Sequence, residues 1–304
     1  MIEILRAGLC DLVVDQGRPG RGGLGVPAGG AADPAAMAAA NRLVGNDATA
    51  AGLEITLHGP SLRFPRGGMA AFTGAHFAAA RSSGAAVAWN ETLVLAAGET
   101  LHLERAQTGC RCWLALAGGL ALAPVMGSRS TFLPAGFGGY QGRALRAGDT
   151  LASGGTQAGG MRLLRAHPPP HEWSTPLRVV AGPQVGRFDD AGLAAFFGAR
   201  YRVSAASDRR GLRLSGPAVT HAPIDLSSQG VLPGAVQVPP DGQPIILGWD
   251  GPVTGGYPVI AGVVAADWPR LAQLRPGDRV QFETIAREAA RRLAVAQWEI
   301  GDIA

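Results

Sequence analysis

Apolar positions along the chain come in short runs separated by Gly, Pro, Asp or Asn: Leu93–Leu95, Leu101–Leu103, Trp113–Ala117, Arg178–Val180, Val231–Val238 and Ile245–Leu247. Runs of this length, punctuated by turn residues, predict strands, and their number predicts a mainly β protein. Helical signals are few. Asp33-Pro34 sets a capping carboxylate ahead of a proline at the first helical position, opening a helix that runs to Val44 and is ended by Gly45-Asn46. Asp189–Phe197, Asp267–Leu274 and Glu283–Trp298 are the other helical stretches. In the last of them Arg287, Arg291 and Arg292 fall on one face, which reads as a solvated one.

Gly154 to Pro176 breaks this rhythm with Gly154-Gly155, Gly159-Gly160 and His167-Pro168-Pro169-Pro170-His171, a composition that resists regular structure. The boundary is placed there, giving a first domain over 1–155, a linker over 156–176 and a second domain over 177–304 that carries the C-terminal helix. A proline run is extended, so His167 and His171 share no face on which to hold a metal. Two echoes cross the boundary. Leu57-His58-Gly59-Pro60 recurs as Leu214-Ser215-Gly216-Pro217, and Arg146-Ala147-Gly148-Asp149 recurs as Arg275-Pro276-Gly277-Asp278, with a related Gly98-Glu99 turn.

Composition fits a globular chain: 304 residues, 47% hydrophobic and 16% charged, are enough for a buried core. The 27 basic residues behind the net charge of +4 are all arginine. Without lysine the chain offers no Schiff base, no P-loop amine and no attachment point for biotin, so any biotin is carried elsewhere. No basic run with interleaved aromatics marks a nucleic-acid surface. Met1–Val14, with Glu3, Arg6 and Asp11, lacks the apolar core of a signal peptide, and Cys112–Met126 is interrupted by Gly118, Gly119 and Pro124. A cytoplasmic protein that does not enter the membrane is expected. Cys10, Cys110 and Cys112 make neither a disulfide framework nor a zinc set, and on a strand Cys110 and Cys112 face the same way, into a core.

Gly20-Arg21-Gly22-Gly23-Leu24-Gly25 matches the dinucleotide-binding glycine pattern by letter, but Pro27 and Gly29-Gly30 follow where a helix must begin. No Gly-x-Ser-x-Gly or His-Glu-x-x-His occurs. The remaining chemistry sits in glycine-rich polar turns: Asp15–Arg18, Ser128–Thr131, Ser207-Asp208-Arg209, Gln237–Gln243 and Thr254–Tyr257. Such turns bring backbone N–H groups and short side chains close to an anionic or amide ligand. Each also has a structural reading: Asp241-Gly242 as a hairpin turn, Asp208 as a cap on its own loop.

Together these segments resemble the family that contains the 5-oxoprolinase C subunit, allophanate hydrolase subunit 2 and the kinase-inhibitor antagonist KipA. The resemblance runs from about Ile4 to Phe282, through Asp15-x-Gly17-Arg18, Gly29-Gly30-Ala31-x-Asp33, Leu53-Glu54-Ile55-Thr56, Gly127–Thr131, Ala181–Gln184, Ser207–Arg209, Gly230–Pro239 and Thr254–Pro258. It implies two cyclophilin-like β-barrel domains in tandem with a few short helices. It also implies a carboxyltransferase-like C subunit that acts with a KipI-like B subunit and an A subunit, hydrolysing 5-oxoproline to glutamate with ATP in the assembled complex. Val14, Gly186 and Arg210 depart from the family's usual Gln, Asp and Met, and Trp249–Val253 differs from the oxoprolinase form, leaving the substrate open.

Under that resemblance Asp15, Glu54 and Asp208 are the candidate catalytic carboxylates, as acid, base or orienter. Arg18, Arg129 and Arg209 are planar donors for carboxylate or phosphate. Ser128, Ser207, Gln237, Thr254 and Tyr257 complete the substrate-binding set, with no metal. A regulatory protein that binds and antagonises a partner, or a component of a urea or allophanate system, is the alternative.

Overall fold

The structure, a computed structural model, describes residues 1–154, 176–223 and 225–303, with side chains as far as 296. The expected linker, apart from Pro176, and the pair His167 and His171 lie outside the described residues. Two compact units are formed, one from Met1–Arg18 and Gly29–Pro170, the other from Pro19–Ala28 and His171–Ala304. Each is built from β-strands, as the runs of apolar residues predict.

The first unit contains β1 (Ile2–Arg6), β2 (Cys10–Val14), α1 (Pro34–Leu43), β3 (Gly52–Thr56), β4 (Ser61–Phe64), β5 (Gly68–Gly74), β6 (Phe77–Arg81), β7 (Thr92–Leu95), β8 (Glu99–Ala106), β9 (Arg111–Leu116) and β10 (Thr150–Leu151). They make two five-stranded antiparallel sheets, ordered β10-β1-β4-β8-β6 and β2-β3-β9-β5-β7. Strands of both sheets feed one core, from Ile2, Ile4, Leu62, Leu101 and Leu103 on one side to Leu53, Ile55, Phe72 and Leu114 on the other. β8 alternates, with Leu101 and Leu103 buried and His102 and Glu104 exposed. β9 does not, because the core covers one of its faces and α1 the other; a strand covered on both faces carries a continuous apolar run. Gly52 permits the approach of α1, since a Cβ there would meet Met37 and the Leu114 carbonyl. Asp33 caps α1 as expected, accepting from the Ala36 N–H at 3.0 Å.

The second unit contains β11 (Leu177–Ala181), α2 (Asp190–Gly198), β12 (Tyr201–Val203), β13 (Gly211–Ser215), β14 (Gln229–Gly230), β15 (Ala235–Gln237), β16 (Ile245–Leu247), β17 (Thr254–Gly255), β18 (Val259–Val263), α3 (Trp268–Gln273), β19 (Arg279–Val280), β20 (Phe282–Thr284) and α4 (Arg287–Ile303). Eight strands form one sheet, ordered β19-β12-β13-β16-β15-β18-β11-β20, while β14 and β17 pair separately. The first and last strands of the eight are consecutive in the chain with Gln281 alone between them, so the sheet curls into a nearly closed barrel. β20 lies parallel to β11 and the other pairs are antiparallel. Phe196 of α2 stacks on Phe282 at 4.4 Å against Tyr201, closing the core beside that seam.

Two boundaries differ from the sequence expectation. Glu283 and Thr284 belong to β20, paired with Arg178 and Val179, so the last helix begins at Arg287; barrel closure takes residues that periodicity alone assigns to a helix. The Val231–Val238 run is a strand only over Ala235–Gln237. Pro233 has no N–H to give a ladder, and Gly234 turns the chain with φ +82°.

The echoed turns share hydrogen bonds as well as letters. Arg146 N–H donates to Asp149 at 2.8 Å, Arg275 N–H to Asp278 at 2.9 Å and Ala96 N–H to Glu99 at 2.8 Å. Gly148, Gly277 and Gly98 are left-handed just before the acid, and a strand follows in each case. The other echo has no such equivalence, since Leu57–Pro60 leads into β4 whereas Leu214–Pro217 leaves β13.

Candidate functional site

In the first unit Asp15 follows β2 directly and gathers two of the polar turns. Its Oδ1 accepts from the Gly17 N–H at 2.8 Å and from the Ser128 and Ser130 hydroxyls at 2.6 Å each; its Oδ2 accepts from the Arg129 N–H at 2.5 Å. Ser130 Oγ also accepts from the Asp15 N–H at 2.8 Å. A carboxylate holding four donors while 6% exposed is suited to fixing turns.

Arg18 is buried. Its guanidinium lies 5.1 Å from the Phe137 ring centroid and donates to the carbonyls of Ser130 and Val125. Gly138 leaves the room this requires, since a Cβ there would meet the Ser130 carbonyl and Arg18. Arg129 is half-buried, with Nε on the Leu122 carbonyl at 2.7 Å. Asp15, Arg18, Ser128 and Arg129 therefore form one cluster, to which the structure adds Ser130. Ser130 belongs to the Ser128–Thr131 turn that the sequence marks as one of the polar turns.

Glu54 stands apart from that hub. It is fully buried on β3, with Oε2 on the Ala32 N–H at 2.8 Å and Trp113 Nε1 at 3.1 Å, and Oε1 3.4 Å from Arg111 Nε. Asp33 is near enough to feel its charge: burial, more than Glu54, pushes the Asp33 carboxyl up to about 6, against the pull of the Ala36 and Ala35 N–H groups.

In the second unit the Ser207–Arg209 turn is braced by its own bonds. Ser207 Oγ accepts from the Arg213 N–H at 3.0 Å, and Asp208 Oδ1 accepts from the Arg210 N–H at 2.7 Å, leaving the Asp208 carboxylate exposed. Arg209 forks onto Asp250 at 2.8 and 3.3 Å, both side chains being buried. Asp250 lies 41 residues on and carried no motif of its own.

Gln237, Thr254 and Tyr257 come together across the β14–β17 region. Gln237 Nε2 donates to the Tyr257 carbonyl at 3.3 Å, and Gly255 makes way for that amide, since its Cβ position is 2.5 Å from Nε2. Thr254 is exposed opposite Gly230, and the Tyr257 side of this group opens on a groove of about 540 Å³ lined also by Arg213, Asp241 and Pro240. Gly20–Gly25 holds a single exposed 3-10 turn, Gly22–Leu24, with no helix starting at its last glycine. Among the described residues no three His, Cys, Asp or Glu side chains are placed to hold a metal ion, and no helix is long and apolar enough to cross a membrane.

The family described as "Carboxyltransferase domain, subdomain A and B" matches residues 24–284. The chain is 41% identical over 296 residues to the 5-oxoprolinase C subunit of Escherichia coli (strain K12), covering 95% of this chain and 93% of that protein. It is 32% identical to urea amidolyase of Lachancea kluyveri over 97% of its own length but 17% of that protein's. Its fold matches the crystal structure of the K. lactis urea amidolyase with a TM-score of 0.91 at 31% identity, over 99% of this chain and 20% of that one. The chain thus spans nearly all of the oxoprolinase component and about a fifth of the amidolyases. By sequence and by fold, it belongs to the carboxyltransferase domain family.

Proposed function

We propose that this chain is the C subunit of an ATP-dependent 5-oxoprolinase, which hydrolyses 5-oxoproline to glutamate together with its A and B subunits and does nothing alone. One observation carries the reading: the end-to-end correspondence with a free-standing 5-oxoprolinase C subunit, 95% of this chain against 93% of that one.

A lactam is a poor electrophile, and opening it asks for a polarised amide, a proton relay and fixed charge facing the substrate's anionic groups. Arg18, on the Ser130 and Val125 carbonyls, and Arg129, its N–H on Asp15, bring fixed positive charge to one cluster. Gln237, Thr254 and Tyr257 form a second substrate-facing group, while Ser207 and Arg209 lie in a turn of the same unit that Asp250 and the Arg213 N–H hold in place. Of the three carboxylates, Asp208 is exposed to solvent, whereas Asp15 and Glu54 are buried and act through the groups they hold. The glycine run Gly20–Gly25 gives ATP no phosphate cradle, and no step is assigned to ATP on this chain. With no lysine, the chain carries no covalent biotin.

The saturation of Asp15 and the burial of Glu54 favour, as a second reading, a regulatory protein that binds its partner and turns over nothing. One assay separates the two. Glutamate release from 5-oxoproline is followed with the A and B partners, this chain and ATP, each omitted in turn. Turnover only in the full mixture is expected; turnover by this chain alone, or undiminished turnover without it, overturns the first reading.

A further inference from the structure

Two exposed charges of opposite sign line the 540 Å³ groove of the second unit: Arg213 on β13 and Asp241 in the turn joining β15 to β16. Several charges of this unit pair, Arg209 with Asp250, Arg178 with Asp267 and Arg187 with Asp225. These two do not. Among the described residues Arg213 is engaged through its backbone alone, by the Ser207 hydroxyl, the Ser204 N–H and its pairing with Ile245, and Asp241 gives one oxygen to the Gln243 N–H at 3.0 Å. Both are fixed at the backbone, Asp241 by the left-handed Gly242, whose N–H donates to the Pro239 carbonyl at 3.0 Å. The groove also carries the Tyr257 ring, 41% exposed, with Pro244 and Ile245.

A bare anion in this groove meets the Asp241 carboxylate, and a bare cation meets Arg213. A molecule carrying a carboxylate and an N–H or ammonium group satisfies both, with a short carbon skeleton for the aromatic and proline surface. The volume lies in the ~300–1,000 Å³ range of small-molecule sites. We infer that this groove binds an α-amino acid or its lactam, the carboxylate on the Arg213 guanidinium, the nitrogen toward Asp241 and the skeleton against Tyr257. Which acid it takes rests on the 5-oxoprolinase reading: 5-oxoproline and glutamate both carry this pair of groups.

The test titrates the full chain, and separately its complex with the A and B partners, with 5-oxoproline, with 2-pyrrolidinone (the lactam without its carboxylate) and with cyclopentanecarboxylate (the acid without its N–H), by ligand-detected NMR. 5-Oxoproline is expected to bind more tightly than either fragment. Arg213→Gln and Asp241→Asn are each expected to weaken it about 10-fold or more, the scale of a lost charge-assisted hydrogen bond. Arg213→Gln should leave 2-pyrrolidinone binding unchanged, and melting curves should match wild type, since both side chains are exposed. If Arg213→Gln does not fold, Asp241→Asn, which keeps an acceptor for Gln243, decides alone. Unchanged 5-oxoproline affinity in both variants, or no binding of 5-oxoproline or glutamate to chain or complex, overturns the site. Glutamate release with an unaltered KM in Arg213→Gln overturns the site and leaves the enzyme reading standing. Arg213-dependent binding in a complex that releases no glutamate upholds the site and sinks the enzyme reading.

Discussion

Asp11 lies on the core face of β2, in one row of the sheet with Ile55 and Cys112, and is 1% exposed. One carboxylate oxygen accepts from the Gly8 N–H at 2.6 Å, and the other has no partner among the described residues. Burial pushes this carboxyl up to about 7 from an ordinary 3.8, outweighing the Gly8 amide and Arg6, which pull it down. Between those two values the unfolded chain has lost its proton while the folded chain keeps it. Stability therefore falls as pH rises from about 4 to about 7 and is level above that. Asp11→Asn, which cannot ionise, should equal wild type near pH 4 and exceed it by on the order of 2–4 kcal/mol at pH 8, read from urea unfolding at the two pH values. The same burial, with Asp11 and Glu54 adding to it, pushes the Cys112 thiol well up, so that thiol is a packing group. Asp208 poses the opposite question, because its carboxylate is exposed and caps only its own loop. Asp208→Asn keeps a capping oxygen. If Asp208 transfers protons, glutamate release by the assembled complex falls roughly 100-fold with an unchanged melting curve. If it only braces the loop, activity per folded molecule stays at the wild-type level and stability falls by about 0.5–3 kcal/mol.

At the scale of the element, the glycine–acid turn is the recurring device of this chain. A left-handed glycine reverses the backbone, and the next residue's carboxylate receives the N–H three positions back as the chain enters a strand. At Glu99 the carboxylate also takes Arg81 at 2.7 Å and the Ser83 hydroxyl at 2.5 Å; these bonds, Arg81 foremost, hold it down at about 2 against its burial. Its stabilisation is present above the unfolded value near 4.5 and is lost as pH falls toward about 2. Glu99→Gln should therefore cost on the order of 2–3 kcal/mol at pH 7, with the deficit closing as pH drops through that window in parallel denaturation curves. The α1 helix was legible for similarly local reasons, since Asp33-Pro34 caps and opens it within four residues. β20 was not, because its pairing partner, β11, lies more than 100 residues earlier in the chain and the helical period of Glu283–Trp298 is equally satisfied until the barrel has to close.

For the molecule as a whole, sequence and fold together place the chain in one family, while its proposed turnover depends on partners outside it; the omission assay is thus the prediction on which the activity stands. The mainly β class, most strands, the capped helix and the absence of any lysine for biotin were determined by the sequence itself. Each depends on neighbours a few residues apart: alternation, turn chemistry, capping and composition. The polar turns were legible as a set, but not their arrangement. The tertiary structure decided that Asp15 binds the Ser128–Ser130 turn, 113 and 115 residues away, and thereby becomes a brace. It decided that Glu54 is fully buried on the Ala32 N–H and that Arg209 is spent on Asp250. It also decided that Arg213, a residue without a motif, lines the same groove as Asp241. A carboxylate or guanidinium looks the same in sequence whether it meets solvent or a distant backbone amide; burial and hydrogen-bond partners, which only the folded chain supplies, settle which chemistry remains to it.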